Sequence, residues 1–413
     1  MRIGFFHPKF QGVGGAENLI AAQVSYLRAQ GHAISVISHI ADRERWQGIF
    51  AGMDLREFQA YPWHNALLPQ ATRLALAQPK AAAALAGNDV VIAHNFPCCT
   101  LLGHSPLPGV TRVWYCNEPH RQLHLIDANP FLYARSQQVA PRSHAERFYA
   151  GRLRSYGVSM SIPGGRRRLR ELDRANTAKI EIICANSEYT RDNIRRTYGR
   201  ADAHVVYPIV QFPARGASRT GLDRSRGLQI VAHARLDAVK NLDHVLRGFA
   251  LYHARAAGAQ LHVVGTGGQA SKLQRLAKRL GLGAAIRFHG FLPAADLERV
   301  YAASEVFALT PLDEPFGMVF PEAAARGLLL VGPDHAGPKE ILDGGRLGWT
   351  CDPFEPESLA QAFERIAACS DAEINARREK ADEACRSRFS EATLGPQLER
   401  IALGTRARSL ASA

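Results

Sequence analysis

Glu314 and Glu322 stand eight positions apart in the run Glu314-Pro315-Phe316-Gly317-Met318-Val319-Phe320-Pro321-Glu322. Carboxylates accept hydrogen bonds from sugar hydroxyls, and Gly317 lets backbone approach whatever lies between the two. Pro321 marks a helix start, so the N–H groups of residues 316–319 are expected to face an anion. The small residues Ala323, Ala324 and Ala325 let that helix pack close to a sheet. A carboxylate pair bracketing an anion site suits a nucleotide sugar; ordinary helix capping would explain Glu322 but not the whole cluster. Arg235 and Lys240 lie five apart in Ala234-Arg235-Leu236-Asp237-Ala238-Val239-Lys240-Asn241. A guanidinium fork and an ammonium point charge together suit a diphosphate, although a basic pair in a loop is also ordinary solvated surface. A third cluster, Gly12-Val13-Gly14-Gly15-Ala16-Glu17, again offers close backbone approach and free N–H groups. It does not meet the Gly-x-Gly-x-x-Gly dinucleotide pattern, and Ile37-Ser38-His39 supplies no acidic residue for a ribose. A tight turn with no ligand is its plainer reading.

Chemistry of this kind needs strand ends and helix starts brought to one edge. The chain opens as strand (Ile3–Phe6), glycine loop, helix (Leu19, Ile20, Gln23, Val24, Leu27) and strand (Ile34–Ile37), with Gly31 stopping the helix. Apolar runs recur at Val90–Ala93, Val110–Tyr115, Ile180–Ala185 and Val205–Tyr207. Apolar runs separated by helical patterns describe a parallel sheet covered on both faces. Residues 211–227 carry Gly, Pro, Ser and Arg without periodicity, as a linker would. A second alternation follows, with strands at Ile230–Ala234, Leu261–Val264, Ile286–His289, Val306–Leu309, Leu328–Val331 and Trp349–Cys351. The expected architecture is α/β: two Rossmann-like doubly wound domains, at 1–208 and 228–390, joined by a linker at 209–227. A helix over 391–413 is expected to pack back towards the first domain. A single large barrel is the alternative.

The 413 residues suit two domains, and 46% hydrophobic with 22% charged residues excludes disorder as the dominant state. Cysteines at 98, 99, 116, 184, 351, 369 and 385 form no metal-ligand spacing, and an odd count argues against a secreted disulfide framework. The start MRIGFFHPKF lacks a signal-peptide core, and no stretch reaches the roughly 18 apolar residues of a spanning helix. A cytoplasmic protein is expected. Its 51 Lys+Arg against 38 Asp+Glu leave +13, which invites nucleic acid or an anionic membrane as partner. The excess is local. Residues 142–174 hold nine Arg against Glu146, Glu171 and Asp173, and residues 215–226 hold four Arg against Asp223. Neither stretch has the aromatic interleaving or the named module of a nucleic-acid binder. Contact of the first stretch with the inner face of a membrane is the remaining expectation for a partner surface.

Taken together, the Glu-x7-Glu element at 314–322, the Arg-x4-Lys at 235–240 and the Gly-Gly-x-Glu at 14–17 resemble those of the family-4 retaining glycosyltransferases of GT-B fold. So do Val264-Gly265-Thr266-Gly267, Phe288-His289-Gly290-Phe291 and Ala185-Asn186-Ser187-Glu188-Tyr189-Thr190, all in the family's order across residues 1–405. The resemblance implies two domains around a central cleft and sugar transfer from a nucleoside diphosphate with retained configuration and no essential metal. Arg235 and Lys240 would hold the diphosphate as leaving group, Glu322 the ribose, and Glu314 the donor-sugar hydroxyls. Backbone at Phe316, Gly317, Met318 and Val319 would touch sugar and phosphate; Gly290, Phe291 and Leu292 would carry the base; Gly14 and Gly15 would face the phosphates. Polar residues after a strand in Tyr115-Cys116-Asn117-Glu118-Pro119-His120-Arg121 would meet the acceptor, making His120 and Glu118 candidates, with His94 an alternate. That segment resembles those of mannosyl-type enzymes of surface-polysaccharide assembly, which makes mannose the first choice of sugar and a glycan or lipid-linked molecule the acceptor. Two departures stand out: Ala234 where Gly is usual, and Ala336-Gly337 in place of a Gly pair. Another enzyme on the same fold, such as a nucleotide-sugar epimerase or a glycan phosphorylase, stays open, as does a non-enzymatic binder.

Overall fold

Strand β1 (Arg2–Phe10) shows why these strands read as unbroken apolar runs. Ile3 and Phe5 enter one core, with Leu19, Ile20 and Val24; Phe6 enters another on the opposite face, with Leu101 and Trp114. A strand covered on both faces has no polar side to alternate with. The computed structural model describes residues 1–10, 14–41, 50–57, 70–161, 166–215, 219 and 221–410, and the chain forms two units. The first comprises Met1–Pro130, Leu153–Val210 and Ser390–Ala413; the second comprises Phe131–Arg152 and Gln211–Phe389.

In the first unit β1 is followed by α1 (Gly15–Ala29), β2 (Ala33–Ala41), β3 (Asp54–Glu57), α2 (Gln70–Leu85), β4 (Val90–His94), α3 (Cys98–His104), β5 (Thr111–Cys116) and α4 (Arg121–Ala128). Helix α5 (Pro130–Gln138) and the start of α6 (His144–Ser161) belong to the second unit. Then come α7 (Arg166–Thr177), β6 (Ile182–Ala185), α8 (Glu188–Tyr198) and β7 (His204–Val205). The strands lie in the order β3-β2-β1-β4-β5-β6-β7, all parallel.

The second unit carries β8 (Gln229–His233), α9 (Leu242–His253), β9 (Gln260–Val264), α10 (Ala270–Arg279), β10 (Ile286–Gly290), α11 (Ala294–Ala303), β11 (Val306–Ala308), α12 (Val319–Ala324), β12 (Leu329–Pro333), α13 (Ala336–Ile341), β13 (Trp349–Cys351), α14 (Pro356–Ala368) and α15 (Asp371–Phe389). Its sheet runs β10-β9-β8-β11-β12-β13, again parallel. Helix α16 (Glu391–Leu410) returns to the first unit, where Leu398, Ala402 and Leu403 join the core around Ile3. Gly395 makes that approach possible, since a Cβ there would lie 2.4 Å from the Tyr26 ring.

Two parts of the linear domain reading change. Phe131–Arg152 packs with the second unit, because Leu132, Ala145 and Tyr149 bury against Leu312 and Phe354, and Asp243 accepts from the His144 N–H at 2.7 Å. Within 209–227, the residues from Gln211 onward belong to the second unit and are bonded to it. Arg219 donates to the carbonyls of Tyr301 (2.7 Å) and Ser304, and Arg224 to those of Ala367 (2.7 Å) and Cys369 (2.5 Å).

Candidate functional site

A parallel sheet delivers the carboxyl ends of its strands to one edge, where ligands of such sheets bind. In the second unit β8 leads there into Ala234-Arg235, β9 into Gly265, β10 into Gly290–Leu292, β11 into residues 309–322, and β12 into Asp334–Gly337. Close backbone contacts hold these turns together. Gly265 has φ +123° and donates to the Gly290 carbonyl at 2.8 Å; a Cβ at Gly265 would lie 1.9 Å from the Ala234 oxygen. Gly337 donates to the Glu314 carbonyl at 3.0 Å, and a Cβ at Gly337 would lie 2.2 Å from the Pro315 oxygen. These glycines set how close Arg235 and Glu314 come to the neighbouring turns.

Lys240 and Glu314 are 74 residues apart in sequence and form an ion pair, with 24% and 16% of their side chains exposed. The turn bearing Lys240 is pinned by Asn241, left-handed at φ +55°, whose side-chain amide donates to the carbonyls of Thr310 and Pro353, both at 2.9 Å. Arg235 stands 77% exposed and holds Asp237 at 2.6 Å. Phe316 turns its ring inward onto Phe389, so only backbone is left at that position of the loop. Gly317 has φ +96°, a conformation that favours glycine. Gly290 is also left-handed (φ +67°), and Phe291 beside it is 76% exposed.

Glu322, one turn into α12, is the unusual group. It is half-buried, and among the described residues no backbone or side-chain group donates to its carboxylate. Burial pushes its pKa up to about 7; Arg326 counteracts this and Glu298 adds to it.

In the first unit the glycine cluster is only partly described: Gly12 and Val13 lie outside the described residues. Gly14 is the N-cap of α1, and Glu17 reaches back to it in the manner of a capping box. Burial would raise the Glu17 pKa, but the contact with His7 (3.5 Å) and the backbone N–H groups of Gly14 and Glu17 lower it. The Glu17 carboxylate thus already accepts from two backbone N–H groups at the start of α1. His94 is wholly buried between the rings of Phe5 and Tyr115, and among the described residues both its ring nitrogens lack a hydrogen-bond partner. Glu118 pairs with Arg121 at 2.6 Å. His120 caps α4 and packs against Phe96; burial, partly offset by Asp173, holds its pKa down to about 4, so it is neutral at physiological pH. Behind it, wholly buried Asp173 accepts from Thr100 (2.6 Å) and Tyr198 (2.9 Å), with His124 Nε2 at 2.8 Å.

The sequence reading did not single out Asn241, Glu298 or Arg326. Asn241 stands next to Lys240 on a strand-end turn, a position that could have pointed to it. Arg326, just past the end of α12, and Glu298 of α11 meet only through the folding of the chain.

The chain matches the family model for Glycosyltransferase Family 4 over residues 13–211 and that for Glycosyl transferases group 1 over residues 221–387. It is 29% identical over 197 residues to mannosylfructose-phosphate synthase of Agrobacterium fabrum, covering 43% of each chain. It is 28% identical over 249 residues to a GDP-mannose-dependent alpha-(1-6)-phosphatidylinositol monomannoside mannosyltransferase of Mycolicibacterium smegmatis, covering 56% of this chain and 63% of that one. The matched stretch thus spans about half the length of these relatives. Among solved structures, HepE of Anabaena in complex with UDP and glucose superposes over the full length of both chains with a TM-score of 0.68 at 18% identity. With both halves matched in order and the whole chain sharing that fold, this protein belongs to the family-4, group 1 glycosyltransferases of GT-B fold.

Proposed function

We propose that the chain transfers a hexose, mannose as the first choice, from a nucleoside-diphosphate sugar to a glycan or lipid-linked acceptor with retention of configuration. The bond between the anomeric carbon and the diphosphate oxygen breaks, and its electron pair leaves with the diphosphate. Arg235 and Lys240 carry that developing charge, the work a divalent ion would otherwise do. The acceptor oxygen bonds to the same face of the anomeric carbon, and its proton passes to the departing phosphate oxygen. Glu314 accepts from donor-sugar hydroxyls, Glu322 from the ribose, and the loop at Gly290–Leu292 carries the base. Neutral His120, with Glu118, serves the acceptor side as a hydrogen-bonding group.

The observation that carries this reading is the meeting, on one sheet edge, of the Lys240–Glu314 pair with a half-buried carboxylate, that of Glu322, to which no group among the described residues donates. The names of two similar proteins support it: one acts with GDP-mannose, and another has been solved with UDP-glucose. Thermal unfolding with UDP, GDP or ADP tests it. One nucleotide is expected to raise the midpoint of the wild-type chain, and Glu322→Ala to lose about ten-fold or more in affinity for it. No shift with any nucleotide, or unaltered binding by Glu322→Ala, contradicts the reading.

A further inference from the structure

The Glu322 carboxylate has two potential donors at hand, and both are turned elsewhere. Arg326, four residues on and just past the end of α12, is the cation whose charge favours its ionised form. Instead Arg326 Nη1 donates to the Glu322 carbonyl at 2.8 Å, while Nε lies 3.0 and 2.9 Å from the two carboxylate oxygens of Glu298 and Nη2 lies 2.5 Å from one of them. The guanidinium sits over the Tyr301 ring, 5.1 Å from its centre. Tyr301 is buried, and its hydroxyl lies 2.9 Å from His233 Nδ1 at the end of β8. Desolvation keeps His233 in its neutral form, with Arg326 adding to the effect, so Nδ1 can accept the Tyr301 proton.

We propose that Glu298 and His233 are positioning residues that hold Arg326 and Tyr301 away from the Glu322 carboxylate, keeping its lone pairs for the ribose diol of the donor. This rests on the reading of Glu322 as the ribose-binding group. A bidentate pair with Arg326 would relieve the half-buried Glu322 carboxylate. The fold forgoes that relief because α11 brings Glu298 to the same guanidinium. The charged and titratable groups that act on Glu322 are thus Arg326, Glu298 and Tyr301, with His233 bonded to the Tyr301 hydroxyl.

Calorimetric titration between pH 5.5 and 8.5, with UDP or GDP, whichever the wild-type chain binds more tightly, tests the arrangement. Phosphate titration is common to every variant, so differences between them report on the protein. Wild-type affinity falls as the pH drops through about 7 and Glu322 takes up a proton. In Glu298→Ala, Arg326 turns to Glu322; affinity at pH 8 drops about ten-fold, and the step near pH 7 moves to lower pH. Glu298→Ala with Arg326→Met recovers affinity to within about three-fold of wild type and returns the step, which mere loss of packing would not do. His233→Phe weakens binding in the same direction by freeing the Tyr301 hydroxyl. Wild-type affinity and pH step in Glu298→Ala, or a loss that the double variant does not recover, overturns the proposal. Glu322→Ala separates the two levels. If it binds as wild type does, the ribose reading fails and this inference with it; if it binds weakly while Glu298→Ala is unaffected, only the inference fails.

Discussion

Ala336 and Gly337 are neighbours with opposite conformational needs at the start of α13. Ala336 sits at φ +58°, where a side chain is disfavoured, while Gly337 has no room for a Cβ against Pro315 and Phe316. Restoring glycine at the first position should raise stability, Ala336→Gly gaining up to ~1 kcal/mol once the freer unfolded chain is allowed for. Gly337→Ala should cost about 2–3 kcal/mol, because backbone cannot yield as a flexible side chain would. Urea unfolding of the two variants checks both signs. The same Gly337→Ala change should weaken nucleotide binding, since its N–H bond to the Glu314 carbonyl fixes the loop bearing one carboxylate of the pair. The departure from the family's glycine pair is thus a strain at Ala336 and not a loss of the close approach at Gly337.

Helices α4 and α7 are tied together from within. Asp127 on α4 meets Arg170 and Arg174 of α7, and His124 on α4 meets Asp173 of α7. The His120 carbonyl accepts from the N–H groups of Leu123 and His124, so the start of α4 is held by the same network. Asp173→Ala should destabilise the fold by about 3 kcal/mol, leaving Thr100, Tyr198 and His124 without their acceptor. Hydrogen bonds from Thr100, Tyr198 and His124 outweigh burial and lower the Asp173 pKa from 3.8. Its contribution is therefore present above about pH 3.8 and lost as pH falls through the lower folded value, so the gap between wild type and variant should close in acid. Equilibrium unfolding at pH 7 and pH 3 measures it. Most strands were legible in the sequence because buried parallel strands leave runs such as Val90–Ala93. Strand β3 was not, since Asp54-Leu55-Arg56-Glu57 is a short polar edge strand without that signature. That Glu314, Glu322, Arg235 and Lys240 lie at one sheet edge follows from their positions after strands, which the sequence pattern shows. The burial of His94 was not legible, because nothing in its own segment records the rings of Phe5 and Tyr115 that close over it. Nor was the tie of Arg326 to Glu298, which only tertiary packing creates.

For the whole molecule, several of the arginines behind the +13 charge have partners within their own unit. The nine arginines of residues 142–174 are divided between the two units, and Arg142, Arg167, Arg170 and Arg174 face Glu355, Glu171 or Asp127. In the stretch 215–226, Arg219 and Arg224 bond carbonyls of the second unit. Some arginines of both stretches therefore bond within the chain, and no helix among the described residues is long and apolar enough to cross a membrane. The two cations that matter most for the proposed chemistry, Arg235 and Lys240, lie outside both stretches. Family membership and a paired carboxylate–cation edge converge on sugar transfer, and turnover is its most direct test. The purified chain, given GDP-mannose, UDP-glucose or ADP-glucose with a glycan or lipid-linked acceptor, should release nucleoside diphosphate in step with glycosylated acceptor. Lys240→Ala should slow that release by about a hundred-fold or more, as expected for loss of a charge that stabilises the leaving group. Release that is unchanged in Lys240→Ala, or conversion of the donor sugar without transfer to any acceptor, would contradict the account.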